Sequence, residues 1–168
     1  MALSLYQASI PAFLRILDNL SKILAKAEAH AAAKKIDPSV FVNARLAPDM
    51  LPFSRQIQIA TDAVKGCGAR LAGIEVPSFP DTEITFAELQ ERIAKTVGFL
   101  KGITPEQMKG DEERAIHLKV AGNELSFPAT VYLFSFVIPN FYFHVTTAYA
   151  LLRHNGVEIG KMDFLGGL

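Results

Sequence analysis

Apolar residues recur at helical spacing from about Leu3 to His30, at Tyr6, Ile10, Phe13, Leu17, Leu20, Leu24 and Ala27. This predicts a long amphipathic helix, with Pro11 either in the first turn or at a kink. The Ala-rich run AEAHAAAKK continues it, and its lysines suit the negative pole of the helix dipole. Asp37-Pro38 is a helix-start signal, a capping aspartate ahead of a proline at the first helical position. It opens a short helix over SVFVNARL, closed by Pro48.

A second long helix is expected from about Pro52 to Leu71, with Phe53, Ile57, Ala60, Val64 and Cys67 or Gly68 along one side. Gly66 and Gly68 each cost roughly 1 kcal/mol of helix propensity relative to alanine. Close approach of a neighbouring helix is the reading that accounts for them. GIEVPSFPDTEIT, with two prolines, reads as a connecting loop, and Thr85-Phe86-Ala87-Glu88 matches a capping box. A third helix follows to about Gly102, with Phe86, Leu89, Ile93, Val97 and Leu100 inward.

The period then changes to two. Ile116, Leu118 and Val120 alternate with His117 and Lys119, Ala121-Gly122-Asn123 turns the chain, and Glu124 to Phe127 resumes the strand. This predicts a small β-hairpin. The last long element runs from Ala129 to His154, with a break or bend at Pro139 and Asn155-Gly156 as its C-cap. Four long helices with short to moderate connections predict one four-helix bundle domain over residues 1–168.

Composition narrows the partners. Lysine plus arginine number 17 and aspartate plus glutamate 17, so no general attraction to nucleic acid or anionic lipid is expected. A single cysteine, Cys67, excludes an internal disulfide and favours the cytoplasm. The N-terminus has no basic stretch ahead of its apolar residues and does not read as a signal peptide. The last helix is the most apolar, but Pro139, Asn140, His144 and Thr146-Thr147 interrupt it short of a clean span of about 18 residues. It reads as a central bundle helix and not a membrane span.

Its aromatic residues (Tyr132, Phe134, Phe136, Phe141, Tyr142, Phe143 and Tyr149) wrap around the helix. They exceed what one inward stripe requires. A homodimer with part of this series at the seam is therefore expected.

The strings PNFYFHVTTAYALLRHNGVEIGKMDFLG, SLYQASIPAFLRILDNLSKILAKAEAHA and ARLAPDMLPFSRQIQIA resemble a bacterial family of unknown function. That family is distantly similar to the DinB/YfiT-like superfamily of metalloenzymes. The resemblance implies a DinB-like antiparallel four-helix bundle, mostly α, with a small β-hairpin before the last helix. It also implies a metal triad of one histidine on the second helix and two spaced four apart on the last. His144 stands at the first position of the last-helix pair, Ala148 occupies the second, and the second helix offers only Gln56 and Gln58. The triad is incomplete, and no bound metal or other cofactor is expected.

His144, Asn140, Thr147, Gln56 and Asp49 remain as candidate ligand-binding residues. The first four would form the polar floor of a pocket for a small molecule. Asp49, with Arg45 and Arg55 around the Pro48–Pro52 turn, either helps bind an anion or caps the second helix, and capping is the more ordinary account. His144 has two readings: a pocket group, whose exchange for glutamine leaves stability nearly unchanged, or a buried histidine joining two helices. The pocket reading is the one carried forward. Three functions stay open: a metal-free small-molecule binder, a dimeric interaction protein, and a metalloenzyme with a rearranged site using His144 with Asp49 or His30. His117 and His154 read as surface residues, and Cys67 as a packed one.

Overall fold

In the computed structural model, residues 3–110, 113–120 and 122–167 are described. Helix α1 (Leu5–Lys34) opens with Ser4, whose hydroxyl accepts from the Gln7 amide while Gln7 Oε1 accepts from Ser4 N. Its apolar stripe, including Ile10, Phe13, Leu17, Leu20, Leu24 and Ala27, is fully buried. The helix continues through the alanine-rich run and ends at Lys35, with φ 55°.

Helix α2 (Pro38–Val42) starts on the Asp37 cap but stops short of the predicted SVFVNARL. Asn43 Nδ2 donates to the Ser39 carbonyl at 2.9 Å, a side-chain bond that competes with further helix. The Ala44 carbonyl is then taken by the amide of Phe53 at 2.9 Å, which ties this turn to the start of α3 (Phe53–Ala72). Pro52 precedes α3 with no side-chain cap, so the capping role expected of Asp49 is not realised.

Helix α4 (Phe86–Lys101) has the predicted capping box: Thr85 Oγ1 accepts from Glu88 N and the Glu88 carboxylate from Thr85 N. Strands β1 (Ala115–Val120) and β2 (Asn123–Pro128) pair antiparallel, Ile116 opposite Phe127 and Leu118 opposite Leu125. Ile116 is buried and His117 exposed, as the alternation requires. Ala121 of the predicted turn lies outside the described residues; Gly122, with φ 85°, lies within them.

The last helix is in three parts: α5 (Ala129–Val131), a π-helical stretch (Tyr132–Val137) and α6 (Ile138–His154). Pro139 has no amide proton, and its ring would meet the carbonyl four residues back in a regular helix. Widening of the preceding turn is the break the sequence places at Pro139.

Helix α3 packs along α6 and α4, and α1 along α4, giving the expected antiparallel bundle. Gly68 makes the crowded α3 seam possible. A Cβ there would lie 2.6 Å from Ile103 Cδ1 and 2.9 Å from Leu100 Cδ2. One element was not anticipated, the short α7 (Lys161–Leu165) on α1. Five residues are too few to show a period. It is held by partners far away in sequence, Asn19 Nδ2 donating to Phe164 O at 3.0 Å and Lys26 pairing with Asp163 at 2.6 Å. No helix among the described residues is long and apolar enough to cross a membrane.

Candidate functional site

The packing of α3 on α6 brings two of the predicted residues together. His144 Nδ1 and Gln56 Oε1 are 2.7 Å apart, although 88 residues separate them in sequence. Gln56 is 2% exposed and His144 9%. The orientation of the glutamine amide follows from its other end, where Gln56 Nε2 donates to the Leu51 carbonyl at 2.9 Å. A carbonyl only accepts, so Oε1 is the atom turned to the imidazole, and Nδ1 of His144 must carry the proton it donates.

The neutral ring then has its lone pair on Nε2. No buried side-chain nitrogen or oxygen among the described residues lacks a partner, and His144 bonds only through Nδ1. Nε2 therefore meets solvent. Burial disfavours the imidazolium and holds the His144 pKa below its ordinary value. Together these features make a neutral hydrogen-bond acceptor, fixed in tautomer; the clefts described below lie elsewhere on the bundle. Phe143, 56% exposed, stands edge-on to the imidazole at 5.2 Å, and the side chain of Leu51 is also exposed.

His144 thus joins two helices through one nitrogen and leaves the other open. That bond is the geometry of the second reading, a buried histidine joining two helices, for which replacement is expected to cost stability. Asn140 is half-buried one helical turn before it. Thr147 is buried, but its hydroxyl donates to the Phe143 carbonyl at 2.7 Å and is spent within the helix. Asp49 is exposed in the α2–α3 connection.

Gln58 is as buried as Gln56 but faces elsewhere. Two residues along a helix turn a side chain through about 200°. Its Nε2 donates to Glu83 at 2.9 Å and its Oε1 accepts from Arg55 at 2.7 Å.

The position one turn beyond His144 is Ala148, fully buried in the core. Among the described residues no group of three or more His, Cys, Asp or Glu side chains is arranged to hold a metal. His30 packs edge-on against Phe41 at 5.9 Å, and His154 is exposed in the last turn of α6. Cys67 is buried between helices, and burial pushes its thiol pKa up. A cleft of about 540 Å³ lies between α1 and α4, where Leu14, Asp18, Ser21, Gln90 and Val97 line it; it contains no histidine.

Sequence reasoning missed the other buried polar cluster. Arg92 is 1% exposed, and its guanidinium bonds in three directions. Nε donates to Thr61 Oγ1 at 2.8 Å; Nη1 donates to the Pro80 carbonyl and Glu83; Nη2 pairs with Asp62 at 2.9 Å and Asp81 at 3.0 Å. This pins the 77–85 loop to α3 and α4. A signal was available, because position 92 falls on the same face as Leu89, Ile93, Thr96 and Leu100. An arginine on an apolar face needs carboxylate partners.

This architecture, an antiparallel four-helix bundle with a hairpin ahead of the last helix, is that of a DinB-like protein. The solved structure of a DinB family member protein from Shewanella denitrificans is 41% identical to the chain. It aligns over 98% of this chain and 93% of its own, with a TM-score of 0.88. The chain belongs to the family described as Domain of unknown function (DUF1993), whose model matches residues 5–165. No curated protein matches it.

Proposed function

We propose that this DinB-like bundle is a cytoplasmic protein that binds a small molecule at the open nitrogen of His144 without a metal cofactor. The observation that carries the reading is the Leu51–Gln56–His144 chain of hydrogen bonds, which fixes a bare Nε2 lone pair at the surface of the α3–α6 seam. A neutral imidazole acceptor favours ligands that donate a hydrogen bond over anions. Exposed Phe143 and Leu51 supply apolar contact, and Asn140 a second polar group on the same helix. The absent second imidazole at Ala148 supports metal-free binding, since one histidine beside a neutral amide is a poor transition-metal site.

The test combines metal analysis of the purified protein with ¹⁵N spectra of His144 during a titration with phenol, an apolar donor, and benzoate as its anionic counterpart. Phenol should move the Nε2 resonance saturably and benzoate should not, in protein free of stoichiometric zinc or nickel. Near-equimolar metal, lost in His144→Ala, would overturn the metal-free reading. No saturable response of His144 to either probe would overturn binding there.

A second reading rests on Phe134 (51% exposed), Phe143 (56%) and Val131 (41%), all on the last helix. They support a homodimer with this helix at the seam. Light scattering should give twice the mass of one 18.4 kDa chain, and a monomer mass at micromolar concentration would sink the idea.

A further inference from the structure

The two glycines noted in α3 do different work. Gly68 admits a neighbouring element, whereas a Cβ at Gly66 would collide with Nη1 of Arg70. Without that Cβ, the guanidinium of Arg70 folds back over the helix by one turn. There its Nη1 donates to the hydroxyl of Tyr132 at 3.1 Å. Tyr132 is 1% exposed, and burial is the main cause that pushes its pKa up to about 12, so it anchors the arginine without neutralising it.

The same guanidinium lines a cleft of about 380 Å³ with Lys65, Asp62, Gly66, Ser78 and Phe79. Lys65 is 5% exposed, with its ammonium 2.7 Å from Asp62 and 4.2 Å from the centre of the Phe79 ring. Asp62 is itself shared with Arg92 at 2.9 Å, so its charge is already answered. Along α3, α4 and the 77–85 loop, Arg55, Lys65 and Arg92 form one ion-pair network with Asp62, Asp81 and Glu83, three cations with three carboxylates. Arg70, near the end of α3, stands outside that network and has no carboxylate partner among the described residues.

We infer that this cleft is a second binding site, for a small oxyanion such as a carboxylate or phosphate, with Arg70 as its principal ligand. Tyr132 occupies one of the five donors of Arg70. The planar fork that remains matches two oxygens of one anion, and its position is set before the anion arrives. Lys65, held by Asp62, and Ser78 line the same cleft beside it. A volume of about 380 Å³ admits a small metabolite.

The experiment titrates the intact protein with inorganic phosphate and, separately, with acetate, at ionic strength held constant with sodium chloride. The Nε–Hε resonance of Arg70 is followed by NMR. Saturable movement with either probe is expected, and the tighter of the two identifies the oxyanion class. Arg70→Gln should abolish saturable binding at the site, read from the neighbouring Gly66 amide, and Gly66→Ala should weaken it about tenfold by displacing the guanidinium. Tyr132→Phe removes the other tether with little change of shape and should also weaken it, so the inference does not depend on one variant folding. Non-saturating shifts with both probes would overturn the site. So would equal affinity in Arg70→Gln.

Discussion

Replacing Arg92 with methionine tests how far the buried charge cluster holds the 77–85 loop on the bundle. The new side chain keeps the apolar stem and fits the same space, so the change isolates the guanidinium. Its carboxylate partners fare differently once it is gone. Asp62 and Asp81 have 41% and 36% of their side-chain surface in water and keep contacts to Lys65 and Arg55. Glu83 is 12% exposed and retains only the amide of Gln58. Removing one partner of a fully buried ion pair costs about 3–5 kcal/mol. With one carboxylate stranded and two able to hydrate, the expected loss is about 2–4 kcal/mol. Urea melts followed by far-ultraviolet circular dichroism at neutral pH would measure it. The double variant Arg92→Met, Glu83→Gln removes the stranded charge and should recover about 1 kcal/mol or more of that loss. A single-variant loss below about 1 kcal/mol would refute the claim that the cluster braces the loop. Absence of recovery in the double variant would refute Glu83 as the stranded group.

Gly68→Ala should destabilise by about 1 kcal/mol, because crowding against buried Leu100 and Ile103 outweighs the gain in helix propensity; Gly98→Ala, with nothing within 4 Å, should stabilise by about 0.5–1 kcal/mol. A chemical melt of each checks the opposite signs. His144→Gln should cost about 1–3 kcal/mol through the orphaned Gln56, and Gln56→Leu beside it should show non-additive loss in a double-mutant cycle. Since folding depresses the His144 pKa, the unfolded chain binds more protons from about pH 6.5 down to the folded value. Parent stability should fall with falling pH through that window, and this component should be missing in His144→Gln when melts from pH 8 to pH 5 are compared. Cys67, buried and with a raised pKa, should react with a disulfide reagent only as fast as the protein opens, and prompt labelling of the native state would contradict its placement.

The sequence alone determined the elements whose causes lie within a few residues of each other. The Thr85–Glu88 box, the Asp37-Pro38 start, the Asn155-Gly156 stop and the alternation at 116–119 each act over a few residues of chain, and each stands where it was read. The inward stripes of α1, α3 and α4 were legible for the same reason, since burial imposes the helical period on the apolar positions. Resemblance to a family supplied the meeting of His144 with the second helix, but spacing could not say that Gln56 meets it and Gln58 turns away. Only the packed bundle decided that. It also decided that Asp49 caps nothing, that α2 stops at Val42, that five residues after Gly160 form a helix, and that Arg92 lies buried among three carboxylates. Partners from elsewhere in the chain complete three of these: Phe53 takes the Ala44 carbonyl after the local Asn43–Ser39 bond, Asn19 and Lys26 hold α7, and Asp62 and Glu83 hold Arg92. A residue's own neighbours reveal that it needs such a partner; the identity of the partner is fixed only when the helices dock and exclude water between them.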